Sequence, residues 1–246
     1  MKKALLIGIN YKGTSYELKG CINDVNNMKE FLLTQGYNEE NIEILSDDTS
    51  FKPTRINILN KILDLVLSDC NNLFFHYSGH GTYIADTDGS ELDGRDECIV
   101  PLDYMRSGVI IDDEIRGLLQ ALDKKKKMFM ILDCCNSGTG TDLCFNMYER
   151  GGRYEMMRCK KHSKTRGQVV MLSGCKDDQF SNDCFIDGTY QGALTNTFLK
   201  VIKSDKYISY IQLMKNIHSI LRSEKLDQIP CLSSGKRLNI RSTVTF

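Results

Sequence analysis

Short, continuous apolar runs punctuate this chain, and between them lie stretches whose apolar residues recur every three or four positions. The runs at residues 3–9 (KALLIGI), 72–77 (NLFFHY) and 127–132 (KMFMIL) carry no polar alternation. They therefore read as strands covered on both faces. Shorter runs at 42–45, 98–101 and 168–172 predict further strands. Ile22, Val25, Met28 and Leu32 predict a helix that stops near Gly36, and Ile56, Leu59, Leu63, Val66 and Leu67 predict another beginning beside Pro53. Ile115, Leu118, Leu119 and Leu122 mark a third, Leu194, Phe198, Val201 and Ile202 a fourth, and Ile211, Met214, Ile217 and Leu221 a fifth. Strands alternating with helices require crossover connections, so the expected fold class is α/β, a mostly parallel central sheet with helices on both faces. Residues 133–166 are polar and glycine-dotted and predict a long mobile loop. Residues 227–246 read as irregular with a closing strand.

The remaining composition narrows the function. Lys+Arg 32 balances Asp+Glu 32, which argues against nucleic-acid binding driven by bulk phosphate attraction. Ten cysteines are present, yet no C-x-x-C pair occurs and Cys134 and Cys135 are adjacent. The pattern suits reduced thiols rather than a disulfide scaffold or structural zinc site. The apolar run at the N-terminus is too short for a signal peptide, and no run approaches the length of a membrane span. The expectation is a cytoplasmic protein.

In open α/β sheets ligands bind beyond the carboxyl ends of the strands. Two such ends carry chemistry. The run NLFFHY leads into Ser78-Gly79-His80-Gly81, and KMFMIL leads into Asp133-Cys134-Cys135-Asn136-Ser137-Gly138. A thiol beside an imidazole is the arrangement of nucleophilic catalysis: the imidazole takes the thiol proton and later returns it to a leaving amine. The backbone N–H groups of Gly81 and Cys135 are candidates for an oxyanion hole. Either residue alone reads as a turn histidine or a small core cysteine; the matched pair, each framed by glycine, points to catalysis. His76, inside a strand run, reads as a satisfied interior histidine, and His162 and His218 lack a glycine frame.

Y-S-G-H-G after one strand and D-C-C-N-S-G after a later one resemble the two catalytic signatures of the metacaspases, caspase-related cysteine peptidases of clan CD. Residues 4–10 (ALLIGIN), Gly20-Cys21-Ile22-Asn23-Asp24, Asp93-Gly94-Arg95-Asp96-Glu97, Asp112-Asp113-Glu114, the block at 173–179 and Gly192-Ala193-Leu194-Thr195 resemble further family blocks in family order. The resemblance spans residues 3 to about 240. It implies a caspase-like fold, a minimal type I catalytic core, Cys135 rather than Cys134 as nucleophile, and His80 as its base. Asn136 stands where members usually carry His.

The resemblance further places a substrate pocket at Cys21, Asp24 and Asp133 with Ser78 nearby. Two carboxylates in one pocket favour a cation, and arginine's fork matches a carboxylate bidentately, so cleavage after Arg or Lys is expected. Read without the family, Asp24 is a favourable helix N-terminal charge and Asp133 a turn former. The resemblance also maps calcium ligands to Asp96, Asp112, Asp113 and Asp142. Oxygen donors of this kind suit Ca²⁺, here as an activator rather than a catalytic ion.

The expected organisation is a single peptidase domain over 1–246: a large-subunit-like region at 1–144, a mobile basic loop at 145–166 and a small-subunit-like region at 167–246. That loop carries Arg150, Arg153, Arg158, Lys160, Lys161, Lys164 and Arg166, and an enzyme cutting after basic residues would process itself there. The partners expected are protein or peptide substrates, with no nucleic acid and no membrane, and the protein is expected to be a monomer. The competing expectations are a catalytically weak or inactive scaffold of the same fold, and a calcium-binding regulatory module with an incidental thiol.

Overall fold

The structure, a computed structural model, describes residues 1–86, 94–134, 143–159, 161–174, 189–226 and 228–246, together with the backbone of 183–186. Its elements run β1 (Lys2–Gly8), α1 (Cys21–Thr34), β2 (Ile42–Ser46), α2 (Arg55–Leu67), β3 (Asn72–Ser78), β4 (Gly81–Ala85), β5 (Arg95–Ile99), α3 (Tyr104–Ser107), β6 (Ile110–Ile111), α4 (Asp112–Leu119) and β7 (Lys127–Asp133). They continue through β8 (Phe145–Arg150), β9 (Arg153–Arg158), β10 (Gln168–Ser173), β11 (Asp183–Ile186), β12 (Thr189–Gly192), α5 (Ala193–Ser204), α6 (Tyr210–Ser223) and β13 (Cys231–Ser234).

The central sheet has the order β2-β1-β3-β7-β10-β13-β8-β9. Its first five strands are parallel, and β13, β8 and β9 close it antiparallel. Alternating side chains on these strands feed two cores. On one face Leu6, Phe74, Phe129, Ile131 and Leu172 pack against α1, α5 and α6 through residues such as Met28, Phe198 and Ile217. On the other, Ile7, Phe75, Met130, Leu132 and Met171 pack against α2 and α4 through Ile62, Val66 and Ile115. Burial on both faces explains the unbroken apolar runs in β1, β3 and β7.

The basic stretch departs from expectation. Residues 145–158 form a regular antiparallel hairpin at the sheet edge, not a loop. Gly151 and Gly152 both adopt positive φ (55° and 76°), which lets two residues close the turn with the strand twist preserved. Phe145 and Met147 are buried, and Met156 and Tyr154 pack against the same core, so one face of the hairpin is anchored. Beyond it, Thr165 is buried and its amide donates to the Gly235 carbonyl (3.2 Å), which ties down the end of the basic segment.

Candidate active site

β3 and β7 lie side by side at the centre of the sheet with Ser78 opposite Asp133, so their carboxyl ends finish level. Past Ser78 the chain turns at Gly79, where a Cβ would sit 2.6 Å from the Tyr77 hydroxyl oxygen and 3.1 Å from that of Tyr11. Only glycine fits over those two hydroxyls. His80 follows immediately.

His80 is held through both its backbone and its ring. Its N–H donates to the Tyr11 hydroxyl (3.0 Å), and its carbonyl accepts from the Tyr77 hydroxyl (2.8 Å) and the Val100 amide (3.1 Å). Its ring packs on Tyr11 at 4.7 Å between centroids and meets the edge of Tyr16 at 6.4 Å. Nε2 lies 2.7 Å from the Tyr16 carbonyl oxygen. A carbonyl only accepts, so Nε2 carries a hydrogen and Nδ1 is the nitrogen left to exchange a proton with a nucleophile. Tyr11 adopts φ 51°, a left-handed conformation uncommon for a bulky residue. Burial pushes the hydroxyl pKa of both Tyr11 and Tyr77 well above the ordinary value, which keeps them neutral donors.

Asp24 and Asp133 converge beneath this turn. Asp24, in the first turn of α1, is fully buried; its Oδ2 accepts from the Ser78 hydroxyl (2.7 Å) and both its oxygens accept from the Gly192 amide (2.9 and 3.0 Å). Asp133, the last residue of β7, is also buried, and its Oδ2 accepts from the Thr195 amide (2.7 Å). A Cβ at Gly192 would lie 2.6 Å from Asp24 Oδ2 and closer still to Asp133 Oδ2, so the two carboxylates close on one glycine. They also satisfy amides at the start of α5, where the helix dipole favours negative charge. Cys21 opens α1, buried, with its amide on Asn10 Oδ1 (3.1 Å) and its carbonyl against Gly8, where a Cβ would lie only 2.5 Å away.

Of the two vicinal thiols, Cys134 is buried in the α2/α4 core, opposite in direction to Asp133, as strand alternation requires. Cys135 and Asn136 lie outside the described residues. Gly81 opens β4, paired with Ile99.

Of the expected calcium ligands, Asp96 and Asp112 are buried near one thiol, that of Cys98. Burial first, then the charges of Asp112 and Asp96, push that thiol up to about 12. Asp113 donates its amide to Asp112 Oδ1 (2.9 Å). Asp142 lies outside the described residues. Among the described residues no three His, Cys, Asp or Glu side chains are arranged to hold a metal ion.

The histidines set aside by their sequence context also have definite places. His218 Nδ1 meets the Tyr154 hydroxyl (2.8 Å) and Nε2 the Pro230 carbonyl (2.9 Å), which joins the hairpin to α6. His162 is half-buried, with its pKa lowered by burial and by Arg116. His76 is only half satisfied: Nε2 meets the Thr195 hydroxyl (3.0 Å), while Nδ1 has no hydrogen-bond partner among the described residues. The parts of the site that sequence reasoning missed are Tyr11, Tyr16, Gly192 and Thr195. Gly192 and Thr195 belong to the Gly192-Ala193-Leu194-Thr195 stretch that resembles the family, and nothing local distinguishes the two tyrosines.

Residues 2–144 match the family model described as metacaspase, peptidase C14 domain. A protein named Metacaspase-1 from Schizosaccharomyces pombe is 36% identical over 97% of this chain and 68% of its own length. Metacaspase-1 of Candida albicans is 37% identical over 100% of this chain and 67% of its own. Among solved structures, a protein of Geobacter sulfurreducens superposes with a TM-score of 0.69 at 23% identity, covering 98% of this chain and 97% of that one; it supports the fold alone. No helix among the described residues is long and apolar enough to cross a membrane.

Proposed function

Because the chain belongs to the metacaspase family of cysteine peptidases, we propose that it is an endopeptidase cutting after Arg or Lys, with Cys135 as nucleophile and His80 as its base. The observation that carries the specificity is the convergence of Asp24 and Asp133 at Gly192. Paired buried carboxylates favour a guanidinium or ammonium group and disfavour an acidic side chain.

In the proposed reaction His80 Nδ1 takes the Cys135 thiol proton, and the imidazolium stays oriented by its Nε2–H on the Tyr16 carbonyl. The thiolate attacks the carbonyl carbon after the basic residue. The Gly81 and Cys135 amides steady the negative oxygen that forms. His80 then protonates the leaving amine, and the acyl-enzyme is hydrolysed by a water that His80 deprotonates. Ser78 and Cys21 complete the pocket, with Ser78 fixing Asp24 through its hydroxyl.

Calcium is proposed as an activator held by Asp96, Asp112, Asp113 and Asp142, and no chemical step passes through it. The two buried carboxylates beside Cys98 support it, because hard oxygen donors of one charge are relieved by a divalent cation. Activity on peptides with Arg, Lys or Asp before the scissile bond, with and without Ca²⁺ and with Cys135→Ala as control, tests the whole reading.

A further inference from the structure

His76 sits inside β3 two residues before Ser78, so both side chains leave the sheet toward α1 and α5. Its neighbours in the sheet are Leu6 on β1 and Ile131 on β7, both fully buried apolar residues. An apolar side chain would suit packing there. The imidazole instead is wholly buried, with one nitrogen bonded and the other without a hydrogen-bond partner among the described residues, an arrangement that costs stability.

The bond from Nε2 has a specific destination. Thr195 is the third residue of α5, and its amide is the donor to Asp133 Oδ2. One threonine therefore joins three elements, with the β3 imidazole on its hydroxyl and the β7 carboxylate on its amide. With no acceptor facing Nδ1 among the described residues, the tautomer bearing hydrogen on Nε2 leaves a bare lone pair rather than a bare buried N–H, and Nε2–H donates to Thr195 Oγ1.

We propose that His76 is a positioning residue for substrate recognition: by gripping the Thr195 hydroxyl it fixes the first turn of α5, and with it the orientation of the Asp133 carboxylate. The proposal rests on the reading of Asp24 and Asp133 as the pocket for the substrate cation. A neutral donor suits the position. Burial lowers the imidazole pKa to about 3, so the ring does not become a resident cation competing with the substrate for those carboxylates.

The test compares His76→Leu and Thr195→Val, which remove the bond from either side, with His76→Gln and Thr195→Ser, which keep a donor and a hydroxyl. KM and kcat are measured on an arginine peptide and on its neutral citrulline counterpart, with the rate of Cys135 alkylation by iodoacetamide as a readout independent of the pocket. The expected result is a KM for the arginine peptide raised about fivefold to tenfold in His76→Leu and Thr195→Val, with less change for citrulline. Alkylation stays unchanged, Gln and Ser restore KM to within about twofold, and the double variant is no worse than either single one. Thermal unfolding checks each variant, and Thr195→Val carries the test if His76→Leu does not fold. An arginine-preferring wild type whose KM is unmoved by these changes, or moved additively, overturns the proposal alone. A wild type that cleaves the citrulline peptide as fast as the arginine one overturns the pocket reading and the proposal with it.

Discussion

Asp24 and Asp133 converge on the start of α5, the first holding the Gly192 amide at 2.9 and 3.0 Å and the second the Thr195 amide at 2.7 Å. The same atoms that hold the first amides of α5 would carry the charge of the proposed pocket, and substitution separates the two roles. Asp24→Asn keeps an acceptor for Gly192 and removes the charge; Asp24→Ala removes both. Asp24→Ala should lower stability by about 1–3 kcal/mol and Asp24→Asn by less, while both lose the preference for arginine. Urea unfolding and peptide kinetics on the same preparations check this.

Gly192→Ala places a methyl against both carboxylates. Overpacking of this kind costs about 1–3 kcal/mol, and here it also pushes the acids apart. The expected outcome is a lowered unfolding midpoint together with a raised KM for basic substrates.

Tyr11→Phe removes the hydroxyl that accepts the His80 amide and donates to the Val100 carbonyl (2.6 Å). The loss should appear in kcat, by roughly tenfold, because it loosens His80, the proposed base, rather than the proposed pocket. An effect confined to KM would contradict the assignment.

His76 makes stability depend on acid. Its pKa falls from 6.5 to about 3 on folding. Above pH 6.5 neither state binds the proton. Below it the unfolded chain does and the folded chain does not, so stability is lost as pH falls toward 3 at about 1.4 kcal/mol per unit. His76→Gln should lose stability less steeply over that window in urea unfolding. Parallel slopes would contradict the burial of a neutral ring.

The hairpin changes where self-cleavage is expected. Arg150, Arg153 and Arg158 lie in paired strands, whereas Lys161 and Lys164 lie between β9 and β10. A peptidase needs backbone free of a ladder, so intact mass after Ca²⁺ addition should show cuts after Lys161 or Lys164 in wild type and none in Cys135→Ala. Cuts after Arg153 would imply that the hairpin opens.

The doubly covered strands were legible because β1, β3 and β7 bury both faces, and their ends led directly to His80 and Asp133. The hairpin was missed because an edge strand buries one face only and β9 carries Arg153, Glu155 and Arg158; the Gly151-Gly152 pair was its one strong local signal. The connection from His76 to Thr195 spans 119 residues and that from Asp24 to Gly192 spans 168. Neither has a local period or motif, because both arise only when α5 docks its first turn against the ends of β3 and β7.

If Asp24 and Asp133 receive the substrate's cation as proposed, the protein is a peptidase for basic residues. The most direct measurement is kcat/KM on matched peptides differing only in Arg or Asp before the scissile bond, with Ca²⁺ present and Cys135→Ala alongside. The expected result is cleavage of the arginine peptide at least about a hundredfold faster than the aspartate one, and none by Cys135→Ala. Equal cleavage of the two, or faster cleavage after aspartate, would contradict it.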